Sequence, residues 1–393
     1  ANPPPTIPSV NALTVDPPNQ PAPPQPPISA IYDNLHTNLP KNVMAFRDIP
    51  FPDDYPLFPD RTQVLDYIQG IAEKYDLLSM IRFNTTVVRA EPTSDKRWQV
   101  SVTEWCDDKE TSYTESYDAI IVASGHYYVP YIPDVEGLQD FGNVANVIHS
   151  RDYRRPKDFA NKTVLVVGNG SSSSDLVREI STGAVKVYHC VRGEDTSFSR
   201  TVAENMPKNA ERVGAIGKFL PATGTIECQD GKKIQGVDTV IFATGYLYSF
   251  PFFPFEDGQL IVDGQKVLGL YDYMFYINNP TLSFIGLPIR VVPMPLMQLQ
   301  STLIARIYSG KIKLPSQEAM KETIADETND RKELVMSVLK ELEYVDRIGA
   351  IAEGYQGKME DWKSSDIVTG RLSDEWREDR TKSLELRRKF LGY

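Results

Sequence analysis

Residues 164–176 read VLVVGNGSSSSDL, a run of branched apolar residues that ends in Gly-x-Gly and four serines. The apolar run predicts a buried strand over 163–167, and the residues after the glycines predict a helix over 172–181. A Gly-x-Gly turn between a strand and a helix is the context in which dinucleotides bind. The stretch therefore predicts a nucleotide-binding turn, with an ordinary structural turn as the alternative.

Three small residues of this turn have separate roles in the prediction. Gly168 permits the tight bend after the strand, and Gly170 lets the backbone approach a pyrophosphate. Ser173 takes the third position, where the helix and the strand pack closely. The helix that follows would direct its free N–H groups and the positive end of its dipole at the phosphates.

The strand VKVYHCV, which comes next in the chain, indicates which nicotinamide nucleotide the turn would hold. An NAD site places an acidic residue after this strand, where it accepts a hydrogen bond from the ribose 2′-hydroxyl. This chain has Arg192 there, and a guanidinium suits a 2′-phosphate. Hydrogen bonds to charged groups are worth roughly 1.5–3 kcal/mol, about 10- to 150-fold in preference. We therefore expect NADPH, with a solvated loop cation as the alternative role of Arg192. The residues predicted to bind NADPH are Gly168, Gly170, Ser171, Ser172, Ser173, Arg192, Thr244, Gly245 and Tyr246.

Strand-like and helix-like segments alternate along much of the chain. Residues 58–75 have Val64, Tyr67, Ile68 and Ile71 on one helical face. DAIIVASG and DTVIFATG each end a predicted strand in small residues, so they resemble matching elements of two nucleotide-binding domains. The predicted fold class is α/β, with two Rossmann-like dinucleotide-binding domains and mainly parallel sheets.

Composition and charge exclude several classes of function. The net charge of −11 argues against a nucleic-acid groove or contact with an anionic membrane. The longest apolar runs are far shorter than the ~20 residues that a membrane span needs. The three cysteines and four histidines are dispersed, without a CxxC pair or the spacing of metal ligands. We expect a cytoplasmic protein with no metal site, no nucleic-acid partner and no membrane anchor.

Several segments between residues 31 and 315 carry a family resemblance. They are YDNLHTNLPKNVMAFRDIPFP, FPDRTQVLDYI, YDAIIVASGHYYVPYIP, FGNVANVIHSRDY, VLVVGNGSSSSDL, DTVIFATGYLYSFPF and FIGLPIRVVPMPLMQLQ. Together they resemble the flavin-containing monooxygenases, which are FAD- and NADPH-dependent N- and S-oxygenases, and above all their soluble fungal-type branch. The resemblance implies FAD and NADPH as cofactors, with the NADPH domain inserted in the FAD domain.

The resemblance also assigns the residues of a flavin site. Asn38, in LHTNLPK, is implied to lie beside the flavin and the nicotinamide and to support the oxygenated flavin as the catalytic residue. An amide can donate or accept a hydrogen bond there, and the alternative is an Asx-type cap before Pro40. The residues implied to bind FAD are Leu35, Thr37, Asn38, Met44, Val87, Ser124, Gly125, Pro295, Gln298 and Gln300. The last three would begin a helix whose dipole stabilises the reduced ring, although glutamine at a helix start is otherwise ordinary.

A linker motif of the family, FxGxxxHxxxY, is matched in its second half. His149 and Tyr153 fit HxxxY, whereas Phe141 and Gly142 depart from the spacing of the first half. The resemblance implies a structural role for His149 and Tyr153 between the two domains. Related Baeyer–Villiger enzymes usually carry Trp at the last position, so Tyr153 favours oxygenation of a heteroatom.

The implied reaction places the redox chemistry on the cofactors. NADPH reduces FAD, O2 then forms a C4a-hydroperoxyflavin, and a soft nitrogen or sulfur of a small molecule takes up the oxygen atom. A Baeyer–Villiger monooxygenase and a non-catalytic NADP-binding remnant of a flavoprotein remain alternatives. A disulfide reductase of the same architecture would need a redox CxxC, which the chain lacks.

One part of the flavin site is not found in this sequence. No GxGxxG precedes Gly168, although FAD needs a Gly-rich loop of its own. We expect a Pro-rich loop or linker over 1–27, an FAD domain over 28–153 and 246–393 that lacks its first βαβ unit, and an NADPH domain over 154–245. The expected partners are an N-terminal fragment of the same enzyme that carries the missing loop, O2, and a small amine or sulfur substrate. We also consider a homodimer.

Overall fold

The computed structural model describes residues 29–106, 109–193, 204–254, 260–353 and 372–392. The predicted Pro-rich stretch over 1–27 lies outside these residues. Within them the strands, in chain order, are β1 (Thr85–Pro92), β2 (Trp98–Cys106), β3 (Lys109–Tyr117), β4 (Ile120–Val122), β5 (Val129–Pro130), β6 (Asn146–His149), β7 (Thr163–Val167), β8 (Lys186–Cys190), β9 (Ala210–Val213), β10 (Ile216–Leu220), β11 (Thr225–Cys228), β12 (Lys233–Gln235), β13 (Thr239–Phe242), β14 (Tyr246–Leu247), β15 (Leu270–Tyr271), β16 (Phe275–Tyr276) and β17 (Leu282–Phe284).

The α-helices are named in the same way. They are α1 (Lys41–Met44), α2 (Arg61–Lys74), α3 (Leu138–Phe141), α4 (Ser171–Ile180), α5 (Pro293–Tyr308), α6 (Gln317–Glu322), α7 (Val338–Glu353) and α8 (Asp374–Phe390). Short 3₁₀ turns cover Leu78–Met80, Ser150–Asp152, Pro156–Phe159, Pro221–Thr223 and Arg331–Leu334. Across the described ranges, none of these helices combines the length and apolar character that a bilayer crossing requires.

A five-stranded parallel sheet forms around the Gly-rich turn. Its strand order is β6-β13-β7-β8-β9, so β7, which leads into the turn, lies between β13 and β8. Val164 of β7 is in register with Thr239 of β13 and with Val187 of β8. The three central residues of β7 are buried, as expected for a parallel strand that is covered on both faces. The predicted strand, turn and helix are confirmed. The edge strand β6 precedes residue 154, and the predicted division into domains remains a prediction.

A second body is built on a mixed four-stranded sheet with the order β15-β16-β17-β4. Here β4 and β17 run parallel, with Ile121 opposite Ser283, and the remaining pairs are antiparallel. An antiparallel meander of β1, β2 and β3 packs against this sheet through the fully buried Trp98. The α/β class with Rossmann-like architecture is confirmed, and the parallel arrangement is most complete in the first sheet.

Two crossover segments join the bodies. β5 and β14 pair as a short antiparallel ladder, with Tyr246 opposite Pro130 and Leu247 opposite Val129. These segments follow the ASG and ATG sequences that come after β4 and β13. The ladder therefore places the carboxyl ends of β4 and β13 near one junction.

The helix predicted over 58–75 is observed as α2. Asp60 caps it by accepting hydrogen bonds from the Thr62 and Gln63 amides, and the Gln63 side chain accepts one from the Asp60 amide in return. The predicted apolar face is only partly buried, because Tyr67 is covered whereas Ile68 is 46% exposed. The amphipathic pattern thus located the helix but did not reveal how much of its face the described residues cover.

Candidate functional site: a cavity at the Gly-rich turn

The turn after β7 is closed by a backbone contact that only glycine permits. Gly168 has φ +146°, and a Cβ built on it would lie 2.4 Å from the carbonyl oxygen of Ala243, which follows β13. Gly170 has extended backbone, and a Cβ built on it would meet nothing within 4 Å. The first glycine therefore serves the packing of the fold, whereas the second leaves free space above the turn.

Helix α4 begins at the rim of this space. The Ser173 and Ser174 hydroxyls both turn back to the Gly170 carbonyl, at 2.8 and 3.2 Å. In any α-helix the amides of the first turn have no acceptor within the helix, so they can hold an anion. The arrangement provides what a pyrophosphate needs without a charged side chain in the turn itself.

A cavity of about 720 Å³ opens at the carboxyl ends of the parallel strands. It brings together eight of the nine residues predicted to bind NADPH, and Ser173 is buried beneath it. The eight are Gly168, Gly170, Ser171, Ser172, Arg192, Thr244, Gly245 and Tyr246. The Thr244 hydroxyl donates to the Tyr131 carbonyl, and Tyr131 also lines the cavity.

Two cations on the cavity wall were missed from the sequence. Arg290 and Arg331 line the cavity from the second body, while Arg192 lies exposed on the side of β8. The Arg331 guanidinium donates to the Tyr246 carbonyl and passes close to Gly245. No local pattern marks these two arginines, since tertiary folding alone brings them to the turn. Three guanidinium groups therefore surround a space of nucleotide size.

The linker residues are buried and packed. His149 is 2% exposed, its Nδ1 accepts a hydrogen bond from the Arg151 amide at 3.1 Å, and its ring packs edge-on against Tyr246. Burial lowers the pKa of His149 to about 4, so the ring is neutral near pH 7. The fully buried Tyr153 donates to the Glu179 carboxylate at 2.8 Å. Both residues fit a positioning role next to α4.

Asn38 lies exposed in a loop that is held at both of its ends. The Thr37 amide donates to the Pro59 carbonyl at 2.9 Å, and the Lys41 amide donates to the Leu57 carbonyl at 2.8 Å. The Thr37 hydroxyl donates to the Leu39 carbonyl at 2.8 Å. The side chain of Asn38 is thus presented from an ordered backbone.

The segment that follows the Asn38 loop contacts α5. The Arg47 amide, just after α1, donates to Gln298 Oε1 in the second turn of α5 at 2.7 Å, and Met44 of α1 is buried in one cluster with Val292. Pro295, also predicted at the flavin, is buried in the first turn of α5. The structure therefore brings α1 and Arg47 together with the predicted helix start.

The side-chain amide of Gln300 forms hydrogen bonds within the protein through both its oxygen and its nitrogen. Its Oε1 accepts from the Gly286 amide at 2.9 Å, and its Nε2 donates to the Tyr344 hydroxyl at 3.0 Å. The side chain is fully buried. These contacts indicate that Gln300 supports the end of β17, and its assignment to FAD stays a prediction.

The remaining residues predicted for FAD are distributed over both bodies. Ser124 and Gly125 are exposed just after β4, Leu35 is half-buried against the core around α4, and Val87 is 41% exposed on the meander. Their common role at a flavin stays a prediction. Among the described residues, no group of three His, Cys, Asp or Glu side chains could hold a metal ion.

Comparison with known proteins shows which family the chain matches. The family model for flavin-binding monooxygenase-like proteins matches residues 24–223 and 216–360. The flavin-containing monooxygenases FMO GS-OX-like 4 and FMO GS-OX5 of Arabidopsis thaliana are each 35% identical to the chain. These alignments cover 74% and 75% of the chain and 65% and 64% of the relatives. The chain thus matches slightly less than two thirds of their length.

Solved structures show the same fold. The S-allyl-L-cysteine S-oxygenase of Allium sativum superposes with a TM-score of 0.75 at 27% identity, covering 92% of this chain and 79% of that enzyme. Tmm of Pelagibacter sp. strain HTCC7211 has a TM-score of 0.69 at 23% identity, with 92% and 77% covered. An NADP+-bound cyclohexanone monooxygenase of Rhodococcus sp. Phi1 has a TM-score of 0.54 at 14% identity, with 91% and 89% covered. The last two likenesses concern the fold alone.

Proposed function

This chain belongs to the flavin-binding monooxygenase-like family, and from that premise we propose that it acts in an NADPH- and FAD-dependent monooxygenase. The observation that carries the proposal is the cavity at the carboxyl ends of the parallel sheet, which gathers eight predicted nucleotide-binding residues. When bound, the two cofactors would supply the redox chemistry, which is hydride transfer from nicotinamide to flavin and activation of O2.

The chain's own residues would hold NADPH in this cavity. The free space above Gly170 and the first amides of α4 suit the pyrophosphate. Arg192 would bind the 2′-phosphate, and Arg290 and Arg331 would approach the nucleotide from the second body. A nucleotide held in this way contacts both bodies, which orients the nicotinamide toward the junction.

Asn38 would face the flavin and the nicotinamide from its ordered loop. A neutral amide can hydrogen-bond a polar group there without offering a strongly acidic proton. The hydrogen bond from the Arg47 amide to Gln298 holds the segment after α1 against α5, and the dipole of α5 favours negative charge at its start. These residues would orient the cofactors and exclude water from them. The proposed chemistry requires no acid–base pair among the described side chains.

We further propose that a βαβ unit with the FAD Gly-rich loop adds beside β4. In the parallel sheet, the ATG strand β13 lies between β6 and the glycine-loop strand β7. The ASG strand β4 has β17 on one side and forms the edge of its sheet, with Ile121 46% exposed. Further exposed apolar side chains lie in and after α2, namely Leu65, Ile68, Leu78, Met80, Ile81 and Phe83.

The proposed substrate is a small molecule with a soft nitrogen or sulfur atom. Sulfur is supported by the name of the Allium S-oxygenase, which superposes well over most of this chain. The thiols of Cys190 and Cys228, which form no disulfide, support a reducing compartment such as the cytoplasm. A homodimer remains part of the proposal without a surface assigned to it.

Assays with ¹⁸O2 test this function on the purified full-length protein. We expect a yellow preparation that oxidises NADPH and transfers one ¹⁸O atom to a thioether or a tertiary amine, with NADH far less effective. A matched incubation with a cyclic ketone separates the Baeyer–Villiger alternative, which predicts a labelled lactone. A protein without flavin, or one that makes only the lactone, would contradict the proposal.

A further inference from the structure

The last described helix crosses the segments that the proposed function assigns to the cofactors. Trp376, in the first turn of α8, donates its indole N–H to the Val43 carbonyl at 2.9 Å. Arg380 pairs at 2.7 Å with the fully buried Glu341, which accepts a hydrogen bond from the Val292 amide at the start of α5. α8 therefore contacts α1 directly and reaches the start of α5 through Glu341 of α7.

Arg387, near the end of α8, reaches the loop and α4 at once. Its Nη1 donates to the Thr37 carbonyl at 2.8 Å, and its Nη2 lies 3.4 Å from both carboxylate oxygens of Asp175. The guanidinium carbon lies 5.7 Å from the Phe58 ring centre and 5.3 Å from that of Phe390. The side chain is 6% exposed.

The position of these partners connects the two proposed cofactor sites. Thr37 directly precedes Asn38, and Asp175 lies one turn into the helix whose first amides face the nucleotide cavity. The planar guanidinium donates to the carbonyl and the carboxylate from two nitrogens in a fixed fork geometry, whereas a lysine ammonium is a point charge on a flexible stem. The Phe58 and Phe390 rings, whose centres are 4.8 Å apart, pack beside the guanidinium.

The hydrogen bond from Arg387 satisfies the Thr37 carbonyl of the Asn38 loop. The amides of this loop at Thr37 and Lys41 donate outward to the Pro59 and Leu57 carbonyls, whereas the Thr37 carbonyl accepts from Arg387. Removal of the guanidinium would take the donor away from that carbonyl and would leave Asp175 with the Tyr32 hydroxyl at 3.4 Å and the Arg178 guanidinium at 4.0 Å. The loop would then gain hydration by moving away from α4.

We propose that Arg387 is a positioning residue that holds Asn38 at a fixed distance from the amino end of α4. The inference rests on the proposed function, because it concerns the distance between the Asn38 loop, proposed to lie at the flavin, and α4, proposed to hold NADPH. It assigns α8, a helix at the far end of the chain, to the assembly of that site.

Hydrogen–deuterium exchange of the full-length protein tests the placement directly. Arg387→Met removes the guanidinium, and Lys389→Met removes an exposed cation from the same turn that pairs only locally with Glu385. In Arg387→Met we expect the amides of segment 33–41 to exchange about 10- to 150-fold faster, the range for losing a hydrogen bond to a charged group. Lys389→Met should leave that segment unchanged.

A second readout separates positioning from simple stability. In Arg387→Met, the fraction of oxidised NADPH that yields oxygenated product rather than H2O2 should fall several-fold, which corresponds to about 1 kcal/mol or more. In Lys389→Met this fraction should stay constant. If Arg387→Met does not fold, Arg387→Lys takes its place, with faster exchange than wild type because the ammonium group does not reproduce the planar fork of the guanidinium.

The outcomes distinguish this inference from the function on which it rests. Unchanged exchange in segment 33–41, or an unchanged product share despite faster exchange, would overturn the inference. If the wild-type protein oxidised no NADPH, the proposed function would fail, and the exchange comparison would still decide whether Arg387 holds the loop.

Discussion

Arg192 is the residue on which the choice of nucleotide depends. It lies exposed on the cavity wall two residues after β8, where a 2′-phosphate would be in reach. Arg192→Ala should lower kcat/KM for NADPH about 10- to 150-fold, the range for a hydrogen bond to a charged group, while NADH is little affected. Lys233→Ala removes an exposed cation elsewhere and serves as the control. An equal loss for both nucleotides would argue against contact with the 2′-phosphate.

His126 makes a second prediction at the level of the residue. It is 8% exposed, its Nε2 has no hydrogen-bond partner among the described residues, and burial together with the nearby Arg331 lowers its pKa to about 4. The unfolded chain binds a proton near pH 6.5, so the native state loses stability as the pH falls from about 6.5 toward 4.

Urea unfolding at pH 7 and pH 5 measures this effect. Between these values the wild-type protein should lose up to about 2 kcal/mol more of its unfolding free energy than His126→Asn, because the asparagine does not titrate. Identical pH dependence in the two proteins would show that His126 is protonated as readily in the native state as in the unfolded chain.

Among the secondary-structure elements, the turn between β7 and α4 offers two glycines with different constraints. Gly168→Ala brings a Cβ 2.4 Å from the Ala243 carbonyl at φ +146°, so we expect a loss of about 1–3 kcal/mol in stability. Gly170→Ala meets open space and should change stability by less than ~0.5 kcal/mol.

Gly170→Ala, which should hardly change stability, should weaken nucleotide binding strongly. Its added methyl group would occupy the space proposed for the pyrophosphate, so the affinity for NADP+ should fall roughly tenfold or more, about 1.4 kcal/mol. Thermal denaturation and NADP+ titration of both variants provide the measurement. Wild-type affinity in Gly170→Ala would place the pyrophosphate elsewhere.

The elements with a local signal could be predicted from the sequence. Periodicity and Gly-x-Gly located β7 and α4, and the strands ending in ASG and ATG were found from their apolar runs. Arg290, Arg331 and Arg387 could not be found in this way, because each acts on a partner distant in the chain. Ile68 lies on a predicted apolar face and yet is exposed, since periodicity does not tell what covers a face.

The whole molecule shows an asymmetry between its two sheets. The first has its glycine-loop strand in the centre, and the second ends at β4. In the full-length protein, Ile121→Glu should lower flavin content about tenfold or more, because a buried unpaired carboxylate costs several kcal/mol. Val262→Glu, at a site 58% exposed, is the matched control. Equal flavin content in both variants would show that no strand adds beside β4.

The central claim is that NADPH and FAD meet between the α4 turn and Asn38. The most direct measurement is an experimental structure of the full-length protein with FAD and NADP+ bound. We predict the NADP+ pyrophosphate over Gly170 and the first turn of α4, and the isoalloxazine ring beside Asn38. A pyrophosphate outside this turn, or a flavin ring remote from Asn38, would contradict the claim.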